Sequence, residues 1–214
     1  MRKIWILGLV GVLALFLAGC GGSSGPDLVV FEQLSDQAVD ADIAYTGVGS
    51  PTIFPASSTQ TIQIGVDAGG TEYRGFLDFP IGGLPSSADV RLAYIDVFVG
   101  SVPFGASVPV LVELVDFQPP VLVGSDFFRS PPDPFLPPVQ GIPIFTFLYD
   151  DTVPPRPVVR IEVTSLVQRA LQRLQPDFQV RLLLDPNPLA VVPAIVTLDD
   201  GGAGTAPLLH VEYL

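Results

Sequence analysis

Few side chains in this 214-residue chain could do chemistry, and the most informative of them is its single cysteine, Cys20. An apolar run over residues 4–17 leads to Cys20, and Arg2 and Lys3 precede that run. Two positive charges, a short apolar run and small residues are typical of a secretory signal segment. The run is shorter than the roughly 20 apolar residues that span a bilayer. We therefore expect Cys20 to be an anchoring point outside the cytoplasm.

The sequence Leu17-Ala18-Gly19-Cys20 resembles the bacterial lipobox. The resemblance implies that residues 1–19 form a signal peptide that is removed, and that Cys20 carries covalent lipid such as palmitate. Two or more acyl chains hold a folded domain on a membrane without a spanning helix. Glycine follows the cysteine where an inner-membrane lipoprotein has aspartate, which implies the outer membrane where the cell has one. An uncleaved N-terminal helix or anchor is the alternative.

The segment after the cysteine, residues 20–27, is rich in Gly and Ser and is predicted to be a flexible tether. Residues 28–214 are predicted to form one domain. Removal of Arg2 and Lys3 changes the formal charge from −12 to −14 and leaves eight arginines and no lysine. This argues against nucleic acid as a partner, because phosphate binding needs clustered basic side chains. Without a second cysteine, the domain has no internal disulfide and depends on its apolar core.

Apolar and polar residues alternate over most of the domain, which predicts β-strands with one buried face. In residues 61–66, Ile62 and Ile64 lie on one face and Gln63 on the other. The other predicted strands are residues 73–79, 89–100, 108–116, 142–149, 158–163, 178–184, 194–198 and 208–213. Their number and spacing predict an all-β fold, an antiparallel β-sandwich with one short helix.

The helix is predicted over residues 164–175, where the apolar residues recur at helical spacing. We expect Thr164 or Ser165 to cap its start and Pro176 to end it. The apolar stripe, which we expect to pack on the core, consists of Leu166, Val167, Ala170, Leu171 and Leu174.

Several segments, in this order, resemble the DNRLRE-domain family. Residues 73–79 (Tyr-Arg-Gly-Phe-Leu-Asp-Phe), Leu84-Pro85 and residues 88–99 are similar to its opening strands. Later matches are residues 160–167, which resemble its strand-to-helix junction, and residues 182–184 and 207–213, which fit its final strands. The resemblance implies a jelly-roll-like sandwich of secreted and surface proteins, related to carbohydrate-binding modules. Family members usually carry tryptophans where residues 117–141 of this chain hold seven prolines.

The Pro-rich insertion, residues 118–143, is the most individual part of the chain. A connection of this length in a compact domain is usually functional or disordered. Its phenylalanines Phe127, Phe128 and Phe135 are candidate ligand contacts. The insertion either presents them to another protein or folds back and covers the sandwich, and the sequence leaves both alternatives open.

Acidic residues are the candidate metal ligands, because Ca²⁺ takes six to eight oxygen ligands. The candidates are the pairs Asp150-Asp151 and Asp199-Asp200, together with Asp185 and Asn187, and of these we select Asp199 and Asp200. No ligand loop of regular spacing surrounds them, so the pattern favours turn formation. No other cofactor is predicted. A looser acidic set is predicted to lie on a solvated surface: Asp36, Asp40 and Asp42.

The single histidine, His210, shares a predicted strand face with Glu212 and is expected to be solvated. No signature supplies a nucleophile for a Ser-His-Asp arrangement, and one histidine is too few for zinc. No catalytic residue is therefore predicted. We expect a lipid-anchored, non-catalytic binding or surface-structural module of the cell envelope, with carbohydrate binding as its more specific form. The alternative is a protein-interaction or assembly lipoprotein that uses the Pro/Phe-rich insertion, and an envelope hydrolase ranks below both.

Overall fold

The structure is a computed structural model that describes residues 27–104, 107–117, 121–140, 144–145, 158–185, 193–202 and 204–214. Several predicted features lie outside these residues: the predicted signal segment, Cys20, nearly all of the predicted tether, Asp150-Asp151 and most of the predicted strand 142–149. None of the helices in the described ranges is long and apolar enough to span a membrane.

The described elements follow one another in this order. They are β1 (Val29–Leu34), β2 (Ala41–Tyr45), β3 (Thr52–Pro55), the single-turn helix α1 (Ala56–Thr59), β4 (Thr61–Val66), β5 (Glu72–Pro80), β6 (Val90–Phe104), β7 (Ser107–Val108), β8 (Val110–Leu114), a 3₁₀ helix (Gly124–Phe128), β9 (Val139–Gln140), β10 (Ile144–Phe145), β11 (Val158–Glu162), the helix α2 (Thr164–Gln172), β12 (Asp177–Leu184), β13 (Ala194–Asp199) and β14 (Leu208–Tyr213).

The strands form one continuous antiparallel path in the order β1-β14-β6-β13-β4-β5-β12-β8-β9. The long strand β6 is shared along its length, because residues 90–96 pair with β14 and residues 98–104 pair with β13. Strand β11 adds to the other edge of β6, and β2, itself paired with β3, adds to β5. The path folds over on itself and encloses the main core, which makes the protein an antiparallel β-sandwich.

Alternate residues of β4, β5 and β6 fill the main core, as the sequence pattern predicts. Ile62 and Ile64 of β4 are fully buried, as are Leu77 and Phe79 of β5. The apolar face predicted for β6, which includes Ile95, is also buried. The predicted all-β sandwich with one short helix is therefore confirmed.

The sequence pattern does not predict β1, β2 or β3. In β2, Ala41, Asp42, Ile43 and Ala44 are all buried, because both faces of the strand are covered. A strand that is buried on both faces shows no alternation of apolar and polar residues. In β1 and β3 most side chains are partly or fully exposed, so that apolar positions such as Val29 do not mark a core face.

The predicted helix is confirmed as α2, and four of its five stripe residues are buried. The fifth, Leu174, is 75% exposed and has φ of 56°, so its expected core position is wrong. A residue in this left-handed conformation commonly follows a helix end. The helix therefore ends at Gln172, before the predicted boundary.

The predicted helix cap is also wrong. Val163 occupies the N-cap position, and no side chain caps the helix. The hydroxyl of Thr164 instead accepts a hydrogen bond of 2.9 Å from the N–H of Ala93 in β6. The Thr164 hydroxyl group, which could otherwise cap the helix, is thus used in a tertiary hydrogen bond with β6.

A second, smaller core lies on the outer face of β5. Side chains alternate along a strand, so Leu77 points into the main core and Phe76 points away from it. Phe76 packs against Phe117, with ring centroids 6.0 Å apart, and Phe127 lies in the same cluster. The Pro-rich insertion therefore folds back over the sandwich.

Gly65 lies where β4 pairs with both β5 and β13. Its φ is 124°, and a Cβ atom there would lie 2.0 Å from the carbonyl oxygen of Ala194. We predict that Gly65→Ala lowers the free energy of unfolding by about 2–5 kcal/mol, because backbone strain and overpacking add. Urea unfolding followed by circular dichroism measures the change.

Gly70→Ala is the matched control, because Gly70 has φ of 82° and nothing within 4 Å of the added Cβ. This variant bears only the conformational strain, about 1–2 kcal/mol. Equal losses in the two variants would contradict the importance of the contact with Ala194.

Candidate ligand-binding cleft

A cleft of about 180 Å³ opens at the edge of the sandwich. Register places its lining residues together, because Asp42 of β2 lies opposite Phe54 of β3 and Ala44 lies opposite Tyr73 of β5. Strand β4 and the end of α1 supply the remaining side. The cleft is lined by Asp42, Phe54, Thr59, Thr61, Gln63 and Tyr73.

Asp42 is the buried charged group of the cleft. It is 3% exposed, and one carboxylate oxygen accepts a hydrogen bond of 3.1 Å from the backbone N–H of Gln63. Burial raises the pKa of Asp42 to about 7, although this hydrogen bond opposes the rise. Asp40 is 1% exposed. The prediction that Asp40 and Asp42 lie on a solvated surface is therefore wrong.

Two aromatic side chains give the cleft its apolar surface. Phe54 is 39% exposed, so part of its ring faces solvent. The hydroxyl of Tyr73 donates a hydrogen bond of 3.4 Å to Asp67. Burial, and then the charge of Asp67, raise the pKa of the Tyr73 hydroxyl, which keeps it protonated and able to donate.

The lining combines aromatic surface with hydroxyl, amide and carboxyl groups. Ligand sites commonly pair apolar walls with a few polar groups that fix orientation. The volume lies below the roughly 300–1,000 Å³ of most such sites, so the cleft suits a single ring rather than a long ligand. Glycoside hydrolysis uses two facing carboxyl groups. Among the described lining residues Asp42 is the one carboxyl group.

Two arginines hold the Pro-rich insertion on the sheet. Arg74 donates a 2.7 Å hydrogen bond to the carbonyl oxygen of Phe127, and its guanidinium carbon lies 4.1 Å from the centre of that ring. Arg181 is 4% exposed, donates a 2.8 Å hydrogen bond to the carbonyl oxygen of Arg129, and forms an ion pair with Glu113. Charged donors make the stronger hydrogen bonds to backbone carbonyls. The described part of the insertion is thus fixed at two carbonyl groups.

The three candidate contact phenylalanines differ in exposure. Phe127 is 1% exposed and lies in the second core, where a ligand cannot reach it. Phe128 is 58% exposed and packs edge-on against Tyr45, with ring centroids 5.0 Å apart. Phe135 is 92% exposed. The insertion covers the sandwich through Phe127 and presents Phe128 and Phe135 to solvent, so each alternative describes part of it.

His210 is packed rather than solvated, contrary to expectation. Its side chain is 12% exposed and stacks on Tyr94, with ring centroids 4.5 Å apart. Its two ring nitrogens lie 3.1 Å from Glu32 and 3.4 Å from Glu212. Arg160 also lies over the ring of Tyr94. Because these groups are already paired with one another, this surface is a weaker ligand-binding candidate than the cleft.

The candidate Ca²⁺ ligands are only partly described, since the side chain of Asp199 lies outside the described residues. Asp200 is fully buried, and burial raises its pKa to about 7. Neither of its carboxylate oxygens has a hydrogen-bond partner, so it does not play the favoured role in turn formation. In the described part of the chain, no three His, Cys, Asp or Glu side chains are grouped so that they could hold a metal ion.

Sequence reasoning missed most of the cleft. Gln63 and Tyr73 lie in predicted strands, but nothing in the pattern shows that these strands meet β2 and β3. Phe54 lies in a strand that was not predicted. The one usable signal is the pair of polar residues Thr61 and Gln63, which face away from the core on β4.

No protein-family model matches this chain, and no curated protein matches it at a significant level. The interpretation of the cleft therefore depends on its own chemistry and geometry.

Substitution of Phe127 tests whether this side chain holds the insertion on the sandwich. We predict that Phe127→Ala lowers the free energy of unfolding by about 3–5 kcal/mol, because it leaves a cavity in the second core. The variant should also become sensitive to trypsin at Arg129, which anchors the insertion through Asp116 and Asp126. Urea unfolding and limited proteolysis measure the two effects.

Phe128→Ala is the matched control, because the neighbouring ring is 58% exposed. It should cost less than about 1 kcal/mol, as is usual for a partly exposed surface side chain. Similar trypsin sensitivity in both variants would show that Phe127 does not hold the insertion.

Proposed function

We propose that this protein is a non-catalytic carbohydrate-binding module of the cell envelope, and that the cleft at Asp42 binds one sugar ring of a polysaccharide. The observation that carries the proposal is the presence of two aromatic side chains beside hydroxyl, amide and carboxyl groups in one cleft. Sugars have this dual character, with apolar C–H faces and a rim of hydroxyl groups.

Each group has a role in this proposal. The rings of Phe54 and Tyr73 provide apolar surface for the C–H face of the sugar. Thr59 and Gln63 offer a hydroxyl and an amide for hydrogen bonds to sugar hydroxyls, and Asp42 adds a carboxyl group. The formal charge of −12 disfavours polyanionic ligands. We therefore propose a neutral polysaccharide.

The proposed location follows from the N-terminal sequence. Lipid on Cys20 would hold the sandwich at a membrane, and the outer membrane is the proposed membrane where the cell has one. Strand β1 begins at Val29, which leaves a short Gly/Ser-rich segment as the tether. Such a tether would let the cleft reach polysaccharide close to the membrane surface.

A second candidate function is protein interaction through the insertion. The observation that favours it is the exposure of Phe128 and Phe135 on a segment held by Arg74 and Arg181. Exposed aromatic side chains on a fixed segment are typical of protein-binding surfaces, since they lose little conformational entropy on binding. The partner in this case is an envelope protein.

We predict that the full chain, purified in detergent, is retarded in gels that contain a neutral polysaccharide, and that Phe54→Ala weakens this binding about tenfold. Loss of one stacking ring removes about 1.4 kcal/mol, which is a tenfold change. Affinity electrophoresis over a panel of neutral and anionic polysaccharides measures it.

Phe135→Ala is the control, because it removes an exposed ring outside the cleft. It should bind polysaccharide like the native chain. Unchanged binding by Phe54→Ala would exclude the cleft as the site. Capture of an envelope protein that is lost in Phe135→Ala and kept in Phe54→Ala would support the second candidate.

Anchoring is tested separately at Cys20. We predict that the native protein begins at Cys20 with acyl chains attached, and that Cys20→Ser moves the protein from the membrane to the soluble fraction, because the chains supply the membrane affinity. Intact-mass spectrometry and fractionation measure the two results. An initiator methionine with an unmodified thiol would refute the proposed anchor.

A further inference from the structure

Three polar side chains meet in the interior of the fold with oxygen atoms that lack hydrogen-bond partners. These atoms are both carboxylate oxygens of Asp200, Oδ2 of Asp40 and the hydroxyl oxygen of Ser35. Asp200 is 0%, Asp40 1% and Ser35 8% exposed. The Ser35 hydroxyl lies beside the Asp40 carboxyl group, but neither oxygen of the fully buried Asp200 has a partner. Buried polar atoms are nearly always paired, so these two oxygens require an explanation.

The backbone brings these side chains together from distant parts of the sequence. The N–H of Ser35 donates to the carbonyl oxygen of Pro207, and the amide of Gln37 donates to the carbonyl oxygen of Asp200. The turn from Ser35 to Asp40 is therefore held against the chain that follows β13. Burial is the largest cause of the raised pKa of Asp40, the neighbouring Ser35 side chain opposes the rise, and the charge of Asp200 adds to it. The three side chains are therefore close to one another.

The arginines described in ion pairs are all committed to other partners. Their partners are Glu72, Asp89, Asp126, Asp96, Asp133 and Glu113, none of which belongs to this site. The charges that act on these two groups come from other carboxylates: Asp200 and Asp78 act on Asp40, and Asp36 acts on Asp200. A buried carboxylate without a cationic partner is unfavourable in a protein interior.

Protonation alone does not satisfy the site. A neutral Asp200 would present an O–H donor, and neither of its oxygens has a partner within hydrogen-bonding geometry. Each of the four oxygens can act as a ligand of a cation. Two carboxylates carry two negative charges, which a divalent ion neutralises.

We propose that Asp200, Asp40 and Ser35 form a Ca²⁺ site that joins the turn after β1 to the loop after β13. Both oxygens of Asp200, Oδ2 of Asp40 and the hydroxyl of Ser35 supply four ligands. Backbone carbonyls and water complete the six to eight that Ca²⁺ takes. The proposed site has only two acidic side chains. It therefore agrees with the finding that, among the described residues, no three His, Cys, Asp or Glu side chains are grouped to hold a metal ion. Hydroxyl and carbonyl ligands in an irregular loop favour Ca²⁺ over Mg²⁺, which demands near-ideal octahedral geometry.

The test uses the full chain in detergent, freed of divalent ions with EGTA and then given Ca²⁺ or Mg²⁺ at 1 mM. With Ca²⁺ about 100-fold above its dissociation constant, the melting temperature should rise by about 5–10 °C. The rise should be much smaller with Mg²⁺. Isothermal titration calorimetry should show one Ca²⁺ per chain.

Asp200→Asn and Ser35→Ala test the ligands. Asp200→Asn should abolish the shift and, without Ca²⁺, should melt at or above the temperature of the native chain, because a buried charge is removed. Ser35→Ala loses one neutral ligand and should bind Ca²⁺ about tenfold more weakly. The Ser35→Ala variant tests the Ca²⁺ ligands even if Asp200→Asn fails to fold. Asp89→Asn, which changes an exposed ion pair with Arg91, should keep the full shift.

Absence of Ca²⁺ binding by the folded native chain would overturn the inference, and so would a full shift in Asp200→Asn or unchanged affinity in Ser35→Ala. Phe54→Ala separates this site from the cleft, because it should keep the Ca²⁺ shift whether or not it binds polysaccharide. Failure of the proposed function and failure of the Ca²⁺ site are thus distinguishable.

Discussion

Burial of both faces of β5 is the constraint on which the rest of the structure depends. Side chains alternate along a strand, so one set of residues from β5 packs in the main core and the other set packs under the insertion. Leu77 belongs to the first set and Phe76 to the second. Tyr73 lines the cleft, and Arg74 holds the insertion. A shift of one residue in the pairing of β5 would exchange all these positions at once.

Several charged groups of the fold are buried and have partners inside it. Arg181 is buried between an acidic side chain and two carbonyl groups of the insertion. Asp78, 3% exposed, accepts a 2.7 Å hydrogen bond from Gln179 on β12, and Gln179 in turn accepts one from the N–H of Phe117. Such a network is stabilising because its members are paired. Asp200 and Asp40 differ in having unpaired oxygens, and for that reason they point to a ligand whereas Asp78 does not.

The alternation of apolar and polar residues was sufficient to predict strands that have one buried and one exposed face. Residues 61–66 and 208–213 are strands with the predicted bounds. Pattern failed where that condition fails. Strand β2 is covered on both faces, and Leu174 lies beyond the last helical turn in a left-handed conformation. The prediction that His210 is solvated was wrong for a related reason, because Tyr94 covers its ring from a neighbouring strand.

The sequence by itself determined the all-β fold, most of the strand positions, the helix α2 and the residues that fill the main core. Those properties follow from the period of apolar residues, which is local. Only the tertiary structure determined where the cleft lies and that Asp40, Asp42 and Asp200 are buried. It also determined that Phe127 is buried whereas Phe128 is exposed. Each of these depends on contacts between residues far apart in the chain, and strand pairing rather than local spacing sets such contacts.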